Sequence, residues 1–257
     1  MMSTFKHWFM VVVMNGTVIP ATIVMTALCI CVFPLAFVLF RMGTTWNNAL
    51  IMRKFVWYYG RIWQWIISPF VSLKLMDFDK KIPVPSIIVV NHLSFFDTFF
   101  MNRLPISDVC FAVRAWPFKM PFYGPFMRIA KYLDVESKHW DSVLASGKKV
   151  LKKNGNILFF PEGHRSRNGN LSKFYSGAFK MAVETGVPVV PLCITGSDLF
   201  FPPSRGWFEP CHIKIKILPP VYPETFNSHL PHREMKKKVH TLMAQPIETM
   251  NHQDDKQ

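Results

Sequence analysis

Residues 87–97 read Ile-Ile-Val-Val-Asn-His-Leu-Ser-Phe-Phe-Asp, and the sequence changes from apolar to polar after Val90. Four consecutive β-branched residues are typical of a strand that is buried on both faces, as in a parallel sheet. Ser94, followed three residues later by Asp97 and then by apolar residues, resembles a capping box and predicts that a helix begins there. A buried strand that leads directly into a helix is a basic unit of α/β folds.

Further strands and helices continue this pattern through the rest of the chain. Short apolar runs predict four more strands, at 109–113, 156–160, 187–194 and 213–218. Helical stretches alternate with them at 95–103, 138–153 and 173–185, and two of these helices end at glycines, Gly155 and Gly186. The alternation predicts an α/β fold with a mostly parallel sheet covered by helices.

The N-terminal residues 8–40 contain no charged side chain. A helix needs roughly 20 apolar residues to cross a bilayer core, so this run is long enough to span a membrane. It is interrupted by Asn15, Gly16, Pro20 and Pro34. We therefore predict that residues 1–41 form a transmembrane or re-entrant segment, with a buried core helix as the alternative. A cleaved signal peptide does not fit, because the apolar character continues past any plausible cleavage site.

The sequence around this run predicts how the chain meets the membrane. Lys6 precedes the run, and four basic residues follow it: Arg41, Arg53, Lys54 and Arg61. Because basic residues concentrate on the cytoplasmic side of membrane helices, the following domain is predicted to face the cytoplasm. A second apolar stretch at 55–76 is rich in Trp and Tyr, whose rings prefer the headgroup layer. Residues 42–76 are therefore predicted to form an interfacial helix, with ordinary core packing as the alternative.

The charge balance restricts the partners of the chain. Its 30 Lys and Arg against 16 Asp and Glu give a formal net charge of +14, which attracts nucleic acid, anionic membrane or an acidic carrier protein. We predict no nucleic-acid partner, because the aromatic residues lie mainly in apolar runs rather than among basic residues. The five cysteines have neither metal-ligand nor disulfide spacing. The polar residues 232–257 predict a solvated helix and tail.

His92 and Asp97 stand at the junction between the predicted strand and helix. On a regular helix, five residues would separate the two side chains by about 140°. If Ser94 caps the helix, His92 lies before the first turn and can fold back beside Asp97. A carboxylate in that position holds one imidazole nitrogen and leaves the other free to act as a base. The alternative is that Asp97 only caps the helix and His92 is an ordinary loop residue.

A second polar segment, Phe-Pro-Glu-Gly-His-Arg-Ser-Arg at 160–167, lies at the end of the predicted strand 156–160. Open α/β sheets bind ligands at the carboxyl ends of their strands. Three basic residues there can grip a phosphate group: Arg165, Arg167 and Lys173. Glu162 can pair with an arginine or bind an acceptor hydroxyl. Taken alone, the segment fits a solvated basic turn equally well.

Together, these segments resemble the signature blocks of the glycerolipid acyltransferase family. Residues 91–97 resemble its His-x-x-x-x-Asp block, and 160–166 resemble its Phe-Pro-Glu-Gly block. The run Val-Pro-Val-Val-Pro-Leu at 187–192 resembles the block that lines the acyl region, and 173–180 also follow the family's usual sequence. The resemblance covers about residues 86–197.

The resemblance implies transfer of a fatty acyl group from a thioester, on coenzyme A or acyl carrier protein, to the free hydroxyl of a lysophospholipid. The favoured acceptor is 1-acylglycerol-3-phosphate, which gives phosphatidic acid. His92 is expected to act as the base and Asp97 to orient it; no metal and no cofactor are implied. The expected substrate-binding residues are Asn91, Ser94, Glu162, Gly163, Arg165, Arg167 and Lys173. The expected acyl-pocket residues are Val187, Pro188, Val190 and Pro191.

Two positions depart from the family pattern. The middle block usually ends in Asp-Arg, whereas Val135 follows Asp134 here, so the arginine expected to help hold the acceptor phosphate is absent. Arg128 or Lys131 is expected to substitute for it, unless the acceptor head group is not a phosphomonoester. His164 also stands where the family commonly has a smaller residue.

Other functions explain less of the sequence. A serine hydrolase is not predicted, because the chain has no Gly-x-Ser-x-Gly elbow. A non-catalytic module that binds anionic membrane through its basic face explains the charge and the apolar N-terminus, but not the clustered blocks. The sequence therefore predicts a membrane-bound acyltransferase whose catalytic domain comprises residues 77–257.

Overall fold

The computed structural model describes residues 4–77, 82–121, 123–166, 169–202 and 205–252. Its centre is a seven-stranded sheet with the strand order β1-β7-β6-β2-β5-β3-β4. The strands are β1 (Val71–Met76), β2 (Ile87–Val90), β3 (Val109–Val113), β4 (Leu133–Asp134), β5 (Asn156–Phe159), β6 (Val189–Thr195) and β7 (Cys211–Ile217). Among the described strands, β6 and β7 pair antiparallel and all other neighbours pair parallel. The prediction of a mostly parallel sheet is confirmed.

Eight α-helices surround the sheet in the described part of the chain. They are α1 (Thr4–Gly43), α2 (Asn48–Ile67), α3 (Asp97–Phe100), α4 (Gly124–Ala130), α5 (Trp140–Leu151), α6 (Gly177–Thr185), α7 (Ser197–Phe200) and α8 (Pro231–His252). Short 3-10 turns lie at Met101–Arg103, Trp116–Lys119 and Pro223–Thr225. Helices α5, α6 and α8 pack on the strands, and α2 packs on α3 and α4.

The centre of the sheet determines where the site forms. Strand β2 lies between β5 and β6, and all four of its side chains are fully buried. A strand covered on both faces has no solvent-facing side, which explains its unbroken β-branched sequence. Because β2, β5 and β3 run parallel, their carboxyl ends meet at one edge of the sheet. The residues that follow these three ends are Asn91, Phe160 and Arg114.

Helix α1 is one continuous helix of 40 residues, with Pro20 and Pro34 inside it. Its large apolar side chains are exposed on many sides, including Val12, Ile23 and Leu35. Such a helix suits a lipid surrounding better than water, since it has no polar face. It is long and apolar enough to cross a membrane. The structure is therefore consistent with membrane association, through a single helix rather than two shorter ones.

The first half of α1 also docks on the body of the protein. The amide of Asn15 forms two hydrogen bonds with Phe208, donating to its carbonyl and accepting from its N–H, each at 2.8 Å. His7 lies 3.2 Å from the buried Glu209. An amide that pairs with a backbone in this way orients α1 relative to the sheet.

Helix α2 is amphipathic. Its buried face includes Trp57 and Trp63, whereas Tyr58 and Trp65 are exposed on the other side. Arg53 lies on the buried face, and its Nε donates to Asp108 at 2.6 Å. The predicted interfacial helix therefore has an exposed aromatic face, but it also contributes to the core.

The end of the predicted interfacial segment is not helical. Helix α2 stops at Ile67, close to Pro69, which lacks the N–H that a continuing helix needs. Val71–Met76 instead form β1, the edge strand that pairs with β7. The predicted interfacial helix therefore does not extend to residue 76, because the sheet already begins at Val71.

Helix α8 is not the simple solvated helix that its composition predicts. Five apolar residues spaced four or three apart are buried along one face: Met235, Val239, Met243, Ile247 and Met250. This face packs against α6 and β6. The average composition of α8 is polar, although its apolar residues form a stripe along one face. The prediction of a solvated tail is therefore corrected for Pro231–His252.

The cysteines are free thiols, and three of them belong to the core: Cys110, Cys193 and Cys211. Burial raises the pKa of each of these three thiols to about 12. Thiols in such surroundings stay protonated and pack as small apolar side chains.

Candidate active site

His92 and Asp97 are in direct contact. Helix α3 begins at Asp97, so His92 lies before the helix in the loop that follows β2. Its Nδ1–H donates to Oδ2 of Asp97 at 2.8 Å. The backbone N–H groups of Leu93 and Ser94 donate to the same oxygen, at 2.7 and 2.9 Å. The loop therefore wraps around the carboxylate, which is the fold-back that the sequence predicts.

The other carboxylate oxygen of Asp97 is also bound. Oγ of Ser197, the first residue of α7, donates to Oδ1 at 2.6 Å. Asp97 and Ser197 are both completely buried, whereas the side chain of His92 is 20% exposed. The protein therefore encloses Asp97 completely, whereas the imidazole of His92 faces a cavity.

The imidazole is also held by its neighbours. It stacks on the ring of Phe160, with the centroids 4.2 Å apart and the planes inclined by 25°. The His92 carbonyl accepts a 2.7 Å hydrogen bond from the N–H of Ser166. Because Nδ1 is engaged with Asp97, Nε2 is the nitrogen available for chemistry.

Glu162 does not have the role that its sequence position suggests. It is completely buried. Its Oε1 accepts from the N–H of His92 at 2.9 Å, and its Oε2 accepts from the N–H of Ser172 at 2.8 Å. Both oxygens are used within the protein, so the predicted contact with an acceptor is replaced by a structural bridge between two loops.

Asn91 and Ser94 are likewise buried rather than exposed to substrate. The Asn91 amide donates to the carbonyl of Ile194 and accepts from its N–H, each at 2.8 Å. Ser94 presents its N–H to Asp97, and its Oγ accepts from the N–H of Phe96. The expectation that these two residues bind substrate is therefore corrected: they shape the loop that carries His92.

A cavity of about 1400 Å³ opens beside His92. Its walls are mostly apolar and aromatic, as is typical of ligand-binding pockets. These walls include Val56, Phe99, Phe111, Met120, Tyr123, Met127 and Tyr132. The cavity thus brings α2, β3 and α4 together around the ring of His92.

The four predicted acyl-pocket residues lie elsewhere. Val190 and Pro191 are buried in β6, and Val187 and Pro188 immediately precede that strand. None of them lines the described walls of the cavity. Val190 and Pro191 pack in the core because β6 is a central strand of the sheet. This sequence block therefore identifies part of the core beside the site and not the wall of the cavity.

The predicted phosphate-binding residues separate into two groups. Gly163 and Arg165 line the cavity, as does His164. Lys173, Arg128 and Lys131 are exposed and are not among the described residues that line it, and Arg128 is bonded to the Phe118 carbonyl. Arg167 lies outside the described residues. Arg165 therefore lines the same cavity as His92, whereas Arg128 and Lys131 are not among its described lining residues.

Arg114 is a cavity residue that no sequence motif singled out. It directly follows β3, and its guanidinium pairs with Glu136, which follows β4. The hydrogen bond and the charge of this pair raise the pKa of Arg114 and lower the pKa of Glu136. Its position after a buried parallel strand was a usable signal, since β3 ends at the same sheet edge as β2 and β5.

The chain is similar to proteins that are named as acyltransferases. The family model described as Acyltransferase matches residues 77–195, which include His92, Asp97, Arg114 and Arg165. A chloroplastic 1-acyl-sn-glycerol-3-phosphate acyltransferase of Brassica napus is 30% identical over 177 residues, which is 66% of this chain and 51% of that protein. A 1-acyl-sn-glycerol-3-phosphate acyltransferase of Saccharomyces cerevisiae is 29% identical over 161 residues, 60% of this chain and 53% of that protein.

The chain therefore resembles glycerolipid acyltransferases over part of its length. It spans about half the length of the curated relatives it matches. The crystal structure of the 1-acyl-sn-glycerophosphate acyltransferase PlsC from Thermotoga maritima has the same fold, with a TM-score of 0.69 and 24% identity. That similarity covers 90% of this chain and 95% of PlsC, so the shared fold extends beyond residues 77–195.

Proposed function

We propose that this chain transfers a fatty acyl group from a thioester donor to the free hydroxyl of 1-acylglycerol-3-phosphate, which gives phosphatidic acid. The observation that carries the proposal is the 2.8 Å contact between His92 and Asp97, with the imidazole on the wall of a large apolar cavity. A histidine oriented by a buried carboxylate is suited to general base catalysis.

In the proposed reaction, Nε2 of His92 takes the proton of the acceptor hydroxyl as its oxygen attacks the thioester carbonyl. The tetrahedral intermediate then collapses, the carbon–sulfur bond breaks, and the imidazolium returns the proton to the leaving thiolate. Asp97 remains anionic and stabilises the imidazolium between these two steps. The route requires neither a covalent enzyme intermediate nor a metal or cofactor.

The polar mouth of the cavity supports an anionic acceptor. Arg114 and Arg165 both line it, on the loops that follow β3 and β5. A guanidinium group suits a phosphomonoester, because it can present a planar pair of donors to the phosphate oxygens. Arg165 is proposed to present such a pair, whereas Arg114, whose Nε and Nη2 donate to Glu136, adds its remaining donors. The apolar walls support a bound acyl chain. We propose that Arg165, assisted by Arg114, holds the phosphate.

One observation favours a different lysolipid acceptor. Val135 stands where the family usually has an arginine, and it lines the cavity with 40% of its surface exposed. An apolar side chain there removes one phosphate contact and admits a larger or less charged head group. Acylation of another lysolipid is therefore the second candidate, with the same chemistry at His92.

The membrane location of the site follows from the same proposal. Both substrates are amphiphiles, and α1 is apolar enough to keep the cavity near a bilayer. The formal charge of +14 favours an anionic leaflet. We propose that the catalytic domain faces the cytoplasm, where an acyl-coenzyme A or acyl carrier protein donor would be available.

An acceptor panel tests this proposal. The protein in anionic lipid nanodiscs would be given an acyl-coenzyme A or an acyl carrier protein thioester, with 1-acylglycerol-3-phosphate or lysophosphatidylcholine as acceptor. We expect phosphatidic acid to form with the higher kcat/KM. A preference for lysophosphatidylcholine would support the second candidate, and no acceptor-dependent thiol release would contradict both.

A further inference from the structure

Ser197 is the side chain that holds the far oxygen of Asp97. Its Oγ donates to Oδ1 at 2.6 Å, whereas Nδ1 of His92 donates to Oδ2. Asp97 is completely buried, and within the described residues no lysine or arginine pairs with it. Hydrogen bonds therefore stabilise the negative charge of Asp97, and the removal of any one of them costs free energy.

The backbone around Ser197 is fixed by the sheet. Gly196 has a φ of +79°, and a Cβ at this position would lie 2.1 Å from the His212 carbonyl oxygen on β7. Only glycine allows β6 to turn this closely against β7. Asn91 binds both backbone groups of Ile194, so the end of β6 is also clamped to the end of β2. The distance from Ser197 to Asp97 is therefore set by rigid elements.

We infer that Ser197 is a positioning residue for the proposed acyl transfer, holding Asp97 in the orientation in which Oδ2 faces His92. The inference rests on the proposed function. A carboxylate anchored through one oxygen alone can rotate, whereas donors on both oxygens hold its plane. The serine also disperses the carboxylate charge, and so sets how strongly Asp97 retains the imidazolium proton.

The influence of Ser197 on the charge of Asp97 can be measured, because of the titratable groups around the carboxylate. His92 and Asp198 are titratable groups that interact with Asp97. Burial and, more weakly, the charge of Asp97 raise the pKa of Asp198. Asp198 therefore adds no positive charge that could replace a lost hydrogen bond from Ser197.

The test compares three variants of the full chain in nanodiscs: Ser197→Ala, Ser197→Thr and Thr195→Val. Thr195 is the matched control, because it is buried at the end of β6, two residues before Ser197, and its Oγ1 has no hydrogen-bond partner among the described groups. We expect Ser197→Ala to lower kcat about 10-fold or more while leaving both KM values near those of the wild type. Ser197→Thr keeps a hydroxyl and should recover most of the rate. Thr195→Val should behave as the wild type.

The pH profile separates positioning from a general structural effect. Without the serine, the more concentrated charge on Asp97 should hold the imidazolium proton more tightly. The acidic limb of kcat/KM should therefore move to higher pH in Ser197→Ala and return in Ser197→Thr.

Two results would overturn the inference. One is a folded Ser197→Ala variant with wild-type kcat and an unchanged acidic limb. The other is an equal loss in Ser197→Ala and Thr195→Val that follows their loss of thermal stability. Failure of the wild type itself to transfer acyl groups would instead contradict the proposed function, so the two failures are distinguishable.

Discussion

The backbone N–H of His92 donates to Oε1 of Glu162 at 2.9 Å, which joins the loop after β2 to the loop after β5. The second oxygen of Glu162 accepts from the N–H of Ser172. Glu162 therefore accepts hydrogen bonds from two backbone segments, one through each carboxylate oxygen. The position of His92 depends on this bridge.

Replacing Glu162 by glutamine should be harmful although the two side chains have the same shape. The new NH2 group would face a backbone N–H, of His92 or of Ser172, in a fully buried place. We expect Glu162→Gln to lose about 1–3 kcal/mol of stability and much of its kcat. Thermal unfolding and acyl transfer would be measured together. The control is the exposed Glu184→Gln on α6; equal behaviour of the two variants would argue against the bridge.

The acceptor site can be tested through its two cavity arginines. If Arg114 and Arg165 hold a phosphate, Arg114→Gln and Arg165→Gln should each raise the acceptor KM by about 10- to 150-fold, since a charge-assisted hydrogen bond contributes about 1.5–3 kcal/mol. Arg165→Lys should restore only part of the acceptor affinity, because the lysine ammonium keeps the positive charge but cannot donate two parallel hydrogen bonds to the phosphate.

Lys131→Gln provides the matched control for this series. Arg128 or Lys131 was expected to assist Arg165 in place of the missing arginine, but neither is among the described residues lining the cavity. We expect Lys131→Gln to leave the acceptor KM near its wild-type value. A large increase in that KM, together with wild-type kinetics for Arg114→Gln, would return the phosphate to the residue favoured by the sequence.

The buried face of α8 predicts a large effect on stability from a helix with a polar composition. Met243 is completely buried against the core. Met243→Ala should therefore cost about 2–5 kcal/mol, whereas the neighbouring exposed Thr241→Ala should cost less than about 0.5 kcal/mol. Chemical denaturation in detergent would measure both variants. Similar small losses would show that α8 is a solvated helix after all.

Attachment to the membrane should survive conditions that remove charge interactions. Because α1 is apolar on all sides, the protein should stay in the pellet after a carbonate wash at high pH. Release into the supernatant would mean that the basic surface alone held it. Protease digestion of sealed membranes tests orientation separately: the C-terminal region should be cleaved from the cytoplasmic side, and its protection would reverse the proposed topology.

Much of the fold was readable from the sequence, because its central strands are continuous apolar runs. The bounds of β2 and β3 were predicted without error, since each ends where polar residues begin. Strand β1 was missed because its residues continue an aromatic stretch. Helix α8 was misjudged because its average polarity concealed the four-residue spacing of Met235, Val239 and Met243.

The site was only partly readable, because motifs do not show which side chains face inward. The contact between His92 and Asp97 followed from their position at a helix start. In contrast, the side chains of Asn91 and Glu162 form hydrogen bonds with backbone groups of the protein. The spacing of residues in a motif does not predict such bonds. Ser197 is 100 residues from Asp97 in sequence, so their contact depends on the pairing of β6 with β2.

The most direct test of the account is acceptor-dependent thiol release by the wild type and by His92→Ala. Both proteins would be purified in nanodiscs, shown to unfold at the same temperature, and supplied with an acyl thioester and 1-acylglycerol-3-phosphate. A positioned base contributes about 10²- to 10⁴-fold, so His92→Ala should retain less than about a hundredth of the wild-type rate, with matching loss of phosphatidic acid. A folded His92→Ala protein that keeps more than about a tenth of the rate would contradict the mechanism.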